Sequence, residues 1–68
     1  MKDKTYWYNV DVTFENGGRL TGNKIFNCSD YRVENNYICL IGRFEKTYIP
    51  WSSVCEISVR QEVSDNDT

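Results

Sequence analysis

Between residues 6 and 14 apolar and polar side chains alternate without a break. Tyr6, Tyr8, Val10, Val12 and Phe14 fall on one side, while Trp7, Asn9, Asp11 and Thr13 fall on the other. Successive side chains of an extended chain point to opposite faces, so a period of two predicts a strand with one face in a core and one in water. Asn16-Gly17-Gly18 follows. Its glycines accept positive φ without a Cβ clash, and the chain is expected to turn back there. The returning segment, residues 19–28, opens with Leu20 expected inward. Further along, Ile25 and Phe26 are adjacent and cannot share a face, so a bulge or bend at Gly22 is expected to reset the register.

Ser29-Asp30 marks the next turn, before a short extended segment over residues 31–34 and a second turn at Asn35-Asn36. Residues 37–41 are apolar throughout, which suits a central strand covered on both faces. A charged turn over residues 42–46 leads to a further extension that stops at Pro50, where the ladder loses an amide donor. After a tight turn through Trp51-Ser52-Ser53, residues 54–60 alternate again, with Cys55, Ile57 and Val59 opposite Glu56, Ser58 and Arg60. No stretch repeats apolar residues at the three-and-four spacing of a helix. The pattern predicts an all-β fold, a small, strongly bent antiparallel barrel of five or six strands, occupying residues 1–60 as one domain. With 68 residues there is material for one core only, and its stability is expected to be marginal.

Charge changes the picture at one end. The net charge is −2, but Glu62, Asp65 and Asp67 follow Gln61 with no base among them. Up to Arg60 the chain has seven acids against eight bases, a net of +1, so the acidity of the whole does not exclude nucleic acid from the body's surface. Residues 61–68 read as an acidic tail, expected to be disordered. The charged start, Met1-Lys2-Asp3-Lys4, runs directly into a strand-like segment, so no signal peptide is expected, and no apolar run reaches the length of a membrane span.

Cys28, Cys39 and Cys55 are odd in number, none forms a Cys-x-x-Cys pair, and histidine is absent. No disulfide, metal site or other cofactor is expected, and the thiols read as small apolar residues suited to a reducing cytoplasm. Without histidine or a cysteine with a base partner, and without a glycine-rich loop opening a helix, no catalytic residue is nominated; the chain is read as a binder, not an enzyme.

Two family likenesses converge on architecture. Val10-Asp11-Val12-Thr13-Phe14-Glu15-Asn16-Gly17-Gly18-Arg19-Leu20-Thr21-Gly22 resembles the opening motif of Sm-like proteins, with one extra residue in the turn. Ile49-Pro50-Trp51-Ser52-Ser53-Val54-Cys55-Glu56-Ile57 is similar to the strand, short turn and strand that close a Src-homology-three domain. Both families are small bent barrels. Their binding positions differ here. Cys28-Ser29-Asp30-Tyr31-Arg32 stands where Sm-like proteins place Asp-x-x-Met-Asn, and Gly42-Arg43 stands where they place Arg-Gly. Ser53 stands where Src-homology-three domains carry a ligand-binding tyrosine.

Ten aromatics in 68 residues exceed what so small a core encloses, so some are expected at the surface. Trp7 lies on the polar side of its strand, and Trp51 sits in the turn after Pro50. With Tyr48 they are the candidate anchors for a protein partner, the residue types that interfaces favour. The alternative is an Sm-like binder of RNA or single strands, with Tyr31 stacking on a base and Arg32 and Arg43 at phosphates. A third reading is a small phage or mobile-element inhibitor of a host complex. A monomer or homodimer is expected instead of a ring, because Pro50 blunts the edge over residues 47–50, and a dimer is expected to be held through Trp7 and Trp51.

Overall fold

The computed structural model describes residues 3–66 and contains six strands and one short turn of 3₁₀ helix. The strands are β1 (Asp3–Asn16), β2 (Arg19–Cys28), β3 (Asp30–Val33), β4 (Tyr37–Ile41), β5 (Lys46–Pro50) and β6 (Val54–Asn66), with the 3₁₀ turn at Trp51–Ser53. They form two antiparallel three-stranded sheets, ordered β2-β1-β6 and β3-β4-β5. No helix among the described residues is long and apolar enough to cross a membrane.

The β1–β2 connection is a two-residue loop, with Asn16 paired to Arg19 and positive φ at both Gly17 (61°) and Gly18 (80°). Positive φ at both central positions matches the twist of the flanking strands, which is why glycine occupies them. The expected irregularity in β2 lies beside Gly22. Phe14 pairs with Gly22 and Glu15 with Leu20, so Thr21 is the extra residue. That bulge corrects one expectation: Leu20 does not enter the core but pairs with Glu15 and is exposed. Ile25 and Phe26 are split by ordinary alternation, Phe26 opposite Val10 on the core face and Ile25 opposite Asp11 on the other, and the bulge puts Leu20 on the Ile25 side.

The core lies between the sheets. Val10 and Val12 of β1 meet Cys28 at the end of β2, Ile38 and Leu40 of β4, and Ile49 of β5. Tyr8, Phe14, Phe26, Tyr31, Trp51, Val54 and Ile57 pack around them. Residues 37–41 form the central strand of their sheet, as their unbroken apolar run predicts, but the expected cover on both faces is not found: Ile38 and Leu40 enter the core, while on the outer face Cys39 is buried and Tyr37 is exposed.

Two expectations need correction. The expected barrel is not closed, for no ladder joins the two sheets among the described residues. The chain passes between them at Ser29, whose amide and hydroxyl both donate to the Ile41 carbonyl (2.9 Å each), and again at the 3₁₀ turn after Pro50. Pro50 brings no amide to extend the β4–β5 ladder, and the turn carries the chain straight to β1's other edge. The second correction concerns the acidic end. Residues 61–66 are not a loose tail but continue β6, with Gln61 opposite Tyr8, Glu62 opposite Trp7 and Val63 opposite Tyr6. Residues 67 and 68 lie outside the described residues. Beyond the end of β2, residues 3–7 of β1 pair with β6 alone, so a two-stranded ribbon projects from the packed body. The Cα extents of 51 × 19 × 17 Å and the radius of gyration of 14.2 Å express this; a compact chain of this length has about 11 Å.

Candidate functional site

The exposed aromatics gather on the outer face of β3-β4-β5. Strand alternation sends Ile38 and Leu40 into the core and leaves Tyr37 and Cys39 on the opposite face. Cys39 pairs with Arg32 on one side and Tyr48 on the other, so these three form one rung. Tyr37, diagonal to Tyr48, meets it edge to face with ring centroids 5.4 Å apart and planes at 74°. Such diagonal neighbours lie within reach of aromatic side chains, and the edge-to-face arrangement suits the ring quadrupoles. Tyr48 is nevertheless 59 % exposed. The face thus presents two tyrosines and an arginine around a buried thiol.

At the end of the same β4–β5 hairpin the Gly42 amide donates to the Glu45 carbonyl (2.8 Å), closing a turn that carries Arg43 and Phe44. Phe44 is 93 % exposed. Neither it nor Tyr37 is evident as a surface aromatic from the sequence. Tyr37 opens an apolar run whose faces cannot be told apart, and Phe44 lies in a segment read only as charged.

The residues nominated from the sequence do not form one site. Tyr48 is on the face just described. Trp51 is half-buried against the core, its amide donates to the Asn36 carbonyl (3.1 Å), and its indole Nε1 donates to the Glu34 carbonyl (2.7 Å). It fastens the 3₁₀ turn to the β3–β4 connection. Trp7 is half-buried on the outer face of the other sheet, opposite Glu62. Of the residues considered for nucleic acid, Tyr31 faces inward, opposite Leu40 and edge to face on Tyr8 at 5.0 Å, whereas its neighbour Arg32 points outward. Adjacent strand residues cannot converge on one ligand face. Arg43 is exposed in the hairpin turn. From Asp30 to Pro50 the bases Arg32, Arg43 and Lys46 are matched by the acids Asp30, Glu34 and Glu45, three against three.

The outer face of β2-β1-β6 is a hydrogen-bonded polar surface. Asn27 donates to Asn9 Oδ1 (3.0 Å), Asn9 in turn to Glu62 Oε1 (3.5 Å, at the long limit), and Asn23 to the Asp11 carboxylate, the Thr13 hydroxyl and the Val12 carbonyl. A concavity of about 130 Å³ lies among Asn9, Asp11, Ile25, Ser58 and Arg60. Small-molecule sites begin near 300 Å³, so this one suits solvent better than a ligand. No cluster of metal-ligating groups occurs among the described residues. Cys28 and Cys39 are buried, but Cys55, expected on the apolar side with Ile57 and Val59, is exposed, because a bulge leaves it unpaired between Val54 opposite Phe14 and Glu56 opposite Thr13; all three are free thiols. Burial pushes the Cys28 thiol up, and the Asp30 charge adds to this against an opposing backbone hydrogen bond at Asp30. A thiol held neutral is a poor nucleophile. No protein family, curated protein or solved structure matches this chain.

Proposed function

We propose that this chain is a protein-binding module, not an enzyme, and that it engages its partner through the outer face of β3-β4-β5. The observation that carries the reading is the exposed Tyr37–Tyr48 pair with Arg32 on the Tyr48 rung. Tyrosine and arginine are enriched at the centres of interfaces: tyrosine joins a large contact area to a polar group at low conformational cost, and arginine offers five donors in a fixed planar fork. Phe44 at the hairpin end adds an apolar contact beside them. We also read the paired sheets as an opened version of a small bent barrel, because Ser29 alone separates β2 from β3 and a 3₁₀ turn leads into the last strand.

A second reading, a binder of single-stranded nucleic acid, draws on Arg32 and Tyr48 sharing a rung. The balance of charge across the sheet speaks against it, since phosphate recognition relies on a surplus of bases. One pair of measurements separates the two. Captured proteins are compared between the wild type and a Tyr37→Ser/Tyr48→Ser variant whose β-type circular dichroism is intact. The double change is expected to weaken retention of a specific partner at least tenfold, as the loss of an interface anchor does. Undiminished capture by the folded variant refutes the site. A salt-sensitive mobility shift with short oligonucleotides, lost on Arg32→Ala, moves the reading to nucleic acid.

A further inference from the structure

Four strand edges are unpaired within the described chain, and they are not equivalent. β2 is bulged at Thr21, β3 has 4 residues, and β5 ends in Pro50. Each of these features hinders the addition of another strand. β6 has 13 residues, no proline and no glycine, and is paired only on its β1 side. It also bears apolar side chains that its own chain does not cover: Val59 is 39 % and Val63 54 % exposed on the face shared with the core, next to Tyr6.

We infer that β6 is a homodimerisation edge, pairing antiparallel with β6 of a second copy about a two-fold axis at Gln61. The register follows from charge. A two-fold axis perpendicular to the sheet keeps both cores on one side, so that residues of like face oppose each other across the new ladder. Placing the axis at Arg60 or Glu62 opposes that residue to itself, and placing it at Val59 opposes Glu56 to Glu62. Like charges directly opposite are destabilising. Axes at Ser58 and Gln61 instead bring opposite charges together.

The Gln61 axis matches the exposed surface better. It opposes Arg60 to Glu62 twice and Val59 to Val63 twice, with Ser58 opposite Ser64 and the two Gln61 amides facing each other. Val59 and Val63 are thereby covered by each other across the joint. The Ser58 axis opposes Ile57 to Val59 but carries Val63 beyond Val54, where the other copy bends into its 3₁₀ turn. The product is a continuous six-stranded sheet, β2-β1-β6 followed by β6-β1-β2 of the second copy. This joint uses neither Trp7 nor Trp51 and leaves the β3-β4-β5 face free.

The test is charge exchange read by light scattering after size exclusion at about 100 μM. The wild type is expected to run at twice the chain mass. Arg60→Glu and Glu62→Arg, each folded by circular dichroism, oppose like charges at both rungs, and each is expected to weaken association at least tenfold. Mixed in equal amounts, these two variants restore both pairs and are expected to form a heterodimer. In a Cys55→Ser background, Gln61→Cys is expected to give a disulfide-linked dimer under mild oxidation and Ser58→Cys is not. A wild-type monomer, a ring, undiminished dimerisation of the single variants, or no heterodimer on mixing overturns the inference. Cross-linking at position 58 but not 61 overturns the register.

Discussion

Cys28 and Cys55 show how position decides the chemistry of one residue type. Cys55 precedes the exposed stretch of β6, whereas Cys28 closes β2 within the core cluster. Burial favours the uncharged thiol at Cys28, so its folded pKa lies above the ordinary value of 9.0. An acid whose pKa rises on folding contributes stability that is complete below the unfolded pKa and is lost as pH climbs through the folded one. The contribution of Cys28 is therefore full at neutral pH and declines only in alkali above about pH 9. At pH 8 an alkylating reagent is expected to modify Cys55 rapidly and Cys28 only after denaturation, as read by intact mass. Between pH 8 and 11 the denaturant midpoint of a Cys28→Ala variant is expected to fall less than that of the wild type. Equal alkylation of the two thiols in the folded protein, or parallel pH profiles, contradicts this assignment.

At the scale of elements, the β1–β2 hairpin and the β6 ribbon mark what sequence can and cannot specify. Glycines at 17 and 18 indicate a hairpin because no other residue takes positive φ at so little cost, and both have it. A Cβ at Gly18 would meet no atom within 4 Å, so a substitution there costs backbone strain alone. Gly18→Val is expected to lower stability by about 1–2 kcal/mol, with a fall in Tm of roughly 4–8 °C for each kcal/mol. Gly17→Asn should be tolerated, since asparagine accepts that conformation. A Gly18→Val variant that melts with the wild type would show that the loop takes another form. Strand alternation likewise made the core face of β1 legible. The end of β6 was not, because Glu62, Ser64 and Asp65 have low strand preference and are held extended by pairing with residues 4–7, a long-range partnership that local pattern cannot reveal. Tyr37 was hidden for a related reason. In an uninterrupted apolar run only the neighbouring strands decide which face is covered.

Across the whole molecule, the packed body and the ribbon contribute unequally to stability. Among the described residues the seven buried ones, Val10, Val12, Cys28, Ile38, Cys39, Leu40 and Ile49, lie before the 3₁₀ turn, and the half-buried β6 residues that pack on the core are Val54 and Ile57. The rungs beyond Arg60 join only to residues 3–8 of β1. Two strands without a third, or a covering layer, have little stability of their own, so the ribbon borrows its order from the body. A chain ending at Arg60 is accordingly expected to keep the β-type circular dichroism and a cooperative melt. Its loss should be about 1 kcal/mol, seen as a fall in Tm of roughly 4–8 °C. Because Gln61, Glu62 and Val63 form the centre of the β6 joint, the same truncation is expected to run as a monomer in light scattering while still binding through Tyr37 and Tyr48. Unfolding of the truncated chain would mean that the ribbon is part of the folding unit. An unchanged Tm would mean that residues 61–66 add nothing to the body, and a persistent dimer would place the joint elsewhere.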